Sequence, residues 1–128
     1  MSRFFHATLL ATLALIAQPL GAHHSTSAIF QNDKQITVSG TLTKVDWINP
    51  HIVIFVESGS GAAAGEWKIQ GNPPAWWRNV GVNRADFAKG LGQTVTIEAL
   101  PSLDGSRYGY LRRIRFANGD SFESMNTL

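Results

Sequence analysis

The 128-residue chain contains no cysteine, so disulfides are excluded as a source of stability even in an oxidising compartment. Methionine is nearly absent: apart from Met1 there is only Met125, which gives no methionine cluster for Cu(I). Charge is sparse, at 16% of residues, and no run of like charges occurs. That excludes a polybasic membrane patch and the basic face that nucleic-acid binders usually carry. No apolar run reaches the ~20 residues a membrane span needs; the longest occupies residues 4–17. No phosphate-cradling loop is present, because Gly59-Ser60-Gly61 precedes a strand pattern and lacks the lysine. No hydrolase constellation is present either: Ser25 has a histidine beside it, but adjacency does not make a triad, and Glu57, Glu66 and Glu98 are scattered. No internal repeat appears.

What the chain does have begins with a leader. Arg3 supplies a positive start, residues 4–17 an apolar stretch, and Gln18-Pro19-Leu20-Gly21-Ala22 a small residue at a cleavage point. Residues 1–22 are therefore expected to be a secretory signal peptide, which implies a periplasmic or secreted protein. Leu20 is a poor residue three places before the cut, so a neighbouring cut site stays open. The alternative, an uncleaved anchor, is disfavoured by the short apolar run. Removing Arg3 with the leader lowers the formal charge from +2 to +1, so the mature chain is close to neutral. The mature chain divides into an N-terminal segment, residues 23–34, and one domain, residues 35–128. That is long enough to build a core without staples.

Cleavage after Ala22 would make His23 the first residue. An N-terminal histidine offers two nitrogens from one residue, its α-amine and its imidazole Nδ1. A second imidazole at His51 would complete a three-nitrogen site suited to Cu(II), with His24 as substitute or third ring. His51 follows Trp47-Ile48-Asn49-Pro50, whose restricted backbone holds the start of the next strand. The structural alternative is that His51 caps the strand end by bonding a backbone carbonyl. For His23 and His24 the alternative is a frayed terminus. Ile29 and Phe30 can pin that segment to the domain, and the seven residues from His23 to Phe30 span up to ~23–25 Å when extended. Asp33 and Asp46 are possible carboxylate partners, although exposed turn and strand positions suit them better.

The body reads as short strands separated by turn signals. Residues 35–48 form a long strand in which Ile36, Val38 and Leu42 share one phase and Val45 and Trp47 another, with Gly40 marking a bulge or bend. Residues 51–57 are apolar on both faces and read as a fully covered strand. Residues 66–70 form a third strand. Asn72-Pro73-Pro74 opens a helical turn with Asn72 as its cap, and residues 83–89 form a second short helix. Residues 93–100 and 108–116 are further strands, and Asn118-Gly119 is a hairpin turn returning through residues 120–123. The order predicts an all-β fold: a small OB-like Greek-key barrel of five to six strands with a short helix between strands three and four. A β-sandwich is the alternative. Trp47 and Trp67 are expected in the core. Trp76 and Trp77 are adjacent and cannot both face inward, so either one presents a surface to a peptide or sugar, or one caps the open end of the barrel and the other lies flat; the second is preferred.

Ala22-His23-His24-Ser25, Phe30, Gly40, Trp47-x-Asn49-Pro50-His51, Trp67, Gly92-x-x-Val95, Asp104-Gly105 and Asn118-Gly119 together resemble a family of small exported bacterial proteins of unknown function. That resemblance implies an exported bacterial protein with one small β domain. More loosely, His23 is similar to the first residue of periplasmic copper carriers and lytic polysaccharide monooxygenases, whose terminal amine binds copper. The chain is short for a monooxygenase and lacks the methionine-rich stretch of many carriers. The expectation is a copper carrier or buffer using His23, His24 and His51, with no residue set that names a reaction. The alternative is a non-enzymatic cell-envelope module that takes a peptide, glycan or protein partner on an aromatic barrel face. Neither reading involves nucleic acid or stable membrane insertion after processing.

Overall fold

A computed structural model describes residues 26–59 and 61–124. Six strands run in the order β1 (Ile36–Asp46), β2 (Val53–Ser58), β3 (Gly65–Gln70), β4 (Thr94–Pro101), β5 (Tyr108–Phe116) and β6 (Ser121–Glu123). Two short helices, α1 (Pro74–Asn79) and α2 (Arg84–Ala88), lie between β3 and β4. The sheet order is β3-β2-β1-β4-β5-β6, and a parallel pairing of β3 with β5 closes the first five strands into a barrel. This is the OB-like architecture expected from the pattern. The sandwich is set aside because its two sheets would leave β3 and β5 unpaired.

β1 serves both sides of the closure. Its first half, Ile36 to Thr41, pairs with β4, and its second half, Thr41 to Asp46, pairs with β2. The register breaks between Leu42 and Lys44, which shifts the inward phase from Val38 and Leu42 to Val45. The bulge was expected at Gly40 and falls at Thr43 instead. Gly40 is regularly paired with Val95; its missing side chain serves close approach, since a Cβ there would overlap the Glu57 carbonyl.

Val38, Leu42, Ile54, Val56, Ile69, Val95, Ile97, Ala99, Leu111 and Ile114 fill the barrel, all essentially without solvent contact. At this level of burial each large side chain contributes ~1.5–3 kcal/mol. β2 departs from expectation. Ile54 and Val56 are buried, but Val53 and Phe55 are only half-buried, because a barrel covers one face of each strand and nothing is layered over the other.

Aromatic rings close one end. Phe87 of α2 packs against Trp77 at 5.2 Å between centroids, Trp47 at 5.6 Å, Phe122 at 5.4 Å and Phe116 at 6.0 Å. Trp77 is fully buried, whereas Trp47 and Trp67 are only partly so. Both expected core tryptophans thus pack against the core without being enclosed by it, and the enclosed ring is Trp77. Trp67 stays partly out because its indole N–H donates to the Ala63 carbonyl at 2.7 Å in the loop before β3. Trp77 plugs the barrel end, as the preferred alternative had it for one ring of the pair; the other, Trp76, stands edge-on to Trp77 at 4.9 Å where it was expected to lie flat against a strand.

Asn72 does not cap α1 as expected: the cap position falls on Pro73, which has no side-chain bond to give. Asn72 is buried and turned to the core instead. Asn83 does cap α2, accepting from Ala85 N at 2.9 Å while Asp86 accepts from Asn83 N at 2.8 Å, a complete capping box.

The segment before β1 is pinned by a second small cluster. Phe30, 1% exposed, packs with Leu100 and Tyr110, and its ring lies 5.1 Å from that of Tyr108. Ile29 was expected to share this work through its side chain, but it is exposed and contributes only its carbonyl, which accepts from Leu103 N at 2.8 Å. Among the described residues no helix is long and apolar enough to cross a membrane.

Candidate functional site

His51 sits in the connection between β1 and β2 and is half-buried. The preceding Asn49–Pro50 peptide is cis. Backbone bonds fasten this connection to the end of β3: Gly71 N donates to Ile52 O at 2.9 Å and Ile52 N to Asn72 O at 3.4 Å. A side chain at Gly71 would collide with Ile52, so glycine is needed for that approach. The His51 ring closes the same junction, with Nδ1 3.1 Å from the Gly71 carbonyl. A carbonyl oxygen only accepts, so Nδ1 carries the proton and the neutral ring keeps its lone pair on Nε2. This is the strand-end bond that the structural alternative required. It is also the arrangement by which metal-binding histidines fix their tautomer.

The junction is built from buried polar contacts. Asn72 Oδ1 accepts from the Tyr110 hydroxyl at 2.5 Å, and the Asn72 carbonyl accepts from Trp77 Nε1 at 3.1 Å. Tyr110 in turn holds Phe30, with ring centroids 5.5 Å apart. A continuous line of contacts thus runs from the N-terminal segment at Phe30 through Tyr110, Asn72 and Gly71 to His51.

His23 and His24 lie outside the described residues, as does Met125. Asp33 is exposed in a turn, as its simpler reading had it, whereas Asp46 is half-buried on β1 and engaged by Lys44 at 2.9 Å. Among the described residues no group of three or more His, Cys, Asp or Glu side chains could hold a metal ion. His51 is the sole histidine there, so a histidine-based metal site at His51 would draw its other ligands from outside the described residues.

Trp76 is half-buried and Trp77 buried, so the two do not form an open aromatic face. Ile48, 55% exposed, and Val80, 50% exposed, are the apolar side chains left to solvent in the nearby loops.

One feature of the outer face had no local signature. Lys44 of β1 pairs with Phe55 of β2, Phe55 with Lys68 of β3, and Lys68 with Tyr108 of β5. The row becomes visible only once the register across four strands is known. Away from it, Asp104 has its pKa lowered to about 2, first by the hydrogen bond from the Ser102 hydroxyl and then by those from Ser106.

Compared with known protein families, the chain matches over residues 10–113 the model of a family of unknown function, DUF6152. No curated protein matches it.

Proposed function

The chain belongs to DUF6152, a family without an assigned function, and from that premise we propose that it is a copper-binding protein of the cell envelope acting as carrier or buffer. In this reading residues 1–22 are removed on export and His23 becomes the first residue. Cu(II) is then held by the His23 amine, the His23 ring and the His51 ring, with His24 as substitute or third imidazole. N-donor sets of this kind favour Cu(II) over the other divalent first-row ions.

The observation that carries the reading is the His51 Nδ1 bond to Gly71 at 3.1 Å. It holds the ring in one orientation and keeps Nε2 as the nitrogen with a free lone pair. The anchoring of Phe30 lends further support. Phe30 is fixed on Tyr110, whose hydroxyl reaches Asn72, next in sequence to the carbonyl that orients His51. Residues Thr26–Ala28 form a 3-10 turn in which Phe30 N bonds Thr26 O at 2.8 Å, so the reach back to the junction falls to the three residues from His23 to Thr26, which span up to ~10–11 Å. The rival module using the adjacent tryptophans has less to stand on, since Trp77 is enclosed.

The test is to purify the natively processed protein, establish its first residue by intact mass, and titrate Cu(II) with EPR detection. His51→Ala and an added N-terminal glycine should each weaken binding and change the spectrum. If both leave affinity and spectrum unaltered, copper binding at this site is refuted.

A further inference from the structure

The side of the barrel formed by β1, β2, β3 and β5 carries the row Lys44, Phe55, Lys68, Tyr108, one residue from each successive strand at the same level. Cations and rings alternate. Lys44 Nζ lies 5.0 Å from the Phe55 centroid and Lys68 Nζ 5.8 Å from that of Tyr108. Both lysines are exposed and both rings half-buried. Each ring therefore acts as a platform that holds an ammonium group forward of the sheet. Tyr108 is itself braced, by Phe30 at 5.1 Å and by a hydrogen bond from its hydroxyl to Gln70 Oε1.

We propose that this face binds an acidic polysaccharide, with Lys44 and Lys68 each taking a carboxylate and the edges of Phe55 and Tyr108 taking the apolar faces of the intervening sugars. Three observations select that ligand. Strands lie ~4.8 Å apart, so the two ammonium groups sit on strands roughly 9–10 Å apart. That is the wide spacing of charge along a chain in which alternate sugars carry an acid group, far sparser than the charge on a nucleic acid. Glu57 and Glu66 face each other across β2 and β3 two residues from the row, and both are exposed. A densely charged polyphosphate would be repelled there, whereas a sparse polyanion avoids them. Finally, at the level of the row every strand is paired on both sides from β2 to β3, and β3 is closed onto β5. β2 and β3 therefore offer no open edge for an added peptide strand, while β1 is paired at Lys44 with β2 alone, so the centre of the face recognises through rings and ammonium groups. Lys68 forms no ion pair among the described residues, and the exposed Lys44 ammonium has a half-buried partner in Asp46, which a ligand carboxylate would have to replace.

The test uses the full chain with a chelator present, so its result does not depend on copper. A hyaluronan hexasaccharide, in which every second sugar carries a carboxylate, is titrated at low salt by calorimetry and by amide chemical shifts. Binding should weaken as salt is raised, with shifts centred on Lys44, Phe55, Lys68 and Tyr108. The double variant Lys44→Gln/Lys68→Gln should lose at least tenfold in affinity, while Lys44→Arg/Lys68→Arg keeps most of it. A neutral hexasaccharide should bind at least tenfold more weakly. The proposal is overturned if the hyaluronan hexasaccharide does not bind, if the glutamine variant binds it unchanged, or if a poly-glutamate peptide or oligo-dT binds as tightly.

Discussion

The Tyr110 hydroxyl donates a buried 2.5 Å hydrogen bond to Asn72 Oδ1 across 38 residues of sequence. Because the Asn72 carbonyl also receives Trp77 Nε1 and Ile52 N, this one residue ties β5, α1 and the His51 connection together.

Tyr110→Phe keeps the ring packed on Phe30 but takes the donor away from Asn72. A buried acceptor left without its partner costs about 1–3 kcal/mol. Urea unfolding should show a lowered midpoint with an unchanged slope. A midpoint equal to wild type would mean that the bond contributes nothing net.

Gly40 marks where β1 passes against β2. A Cβ there would overlap backbone atoms of Glu57, which cannot swing aside as a side-chain tip can. Gly40→Ala should therefore destabilise by about 1–3 kcal/mol or more through forced strand separation. Gly59 has open space around its Cα and no positive φ, so Gly59→Ala should be neutral or slightly stabilising. Thermal melting of the two variants side by side checks the contrast, and equal shifts would refute it.

The Asp104 carboxylate is held below the ordinary carboxylate range, at about 2, chiefly because the Ser102 hydroxyl donates to it and Ser106 adds to that. A depressed folded-state pKa means that the ionised turn favours the native state above pH ~4 and that this contribution fades as pH falls toward 2. In Ser102→Ala the midpoint should rise toward the ordinary value. Carboxyl carbon shifts followed by NMR report it directly, and a midpoint that stays put would reassign the cause.

Much of the barrel was legible because one face of each strand is wet. Val95, Ile97 and Ala99 alternate with polar residues, and β5 has the bounds its apolar pattern suggested. Turn chemistry was equally plain at Asn118-Gly119, where Asp120 N is held by the Asn118 side chain at 2.9 Å. The misjudged positions share a cause: each is decided by a partner distant in sequence. Asn72 looks like a cap until Tyr110 arrives, and Trp77 looks no more buried than Trp76 until Phe87 covers it. The Lys44 to Tyr108 row is invisible without the register. At the candidate site, His51 and its rigid approach could be picked out from sequence. The carbonyl that orients it belongs to Gly71, 20 residues on, and could not.

Copper binding by a terminal histidine and His51 carries a definite proton count. The metal requires an unprotonated amine and unprotonated imidazoles, and it competes with protons for each. An α-amine ordinarily holds its proton up to pH ~7.7–8.0 and an imidazole up to ~6.5. Between pH 8 and 7 only the amine is in competition, so the logarithm of apparent affinity should fall by about one for each unit of acidification. Below pH ~6 the amine and two rings all compete, and the fall should steepen toward three per unit. Blocking the terminus with an extra glycine moves the amine away from the ring, and His51→Ala removes one imidazole; either change should flatten the acid limb. Competition titrations at pH 5.5, 6.5 and 7.5 read the slope. A slope near one throughout, indifferent to both variants, would place any bound copper on some other group.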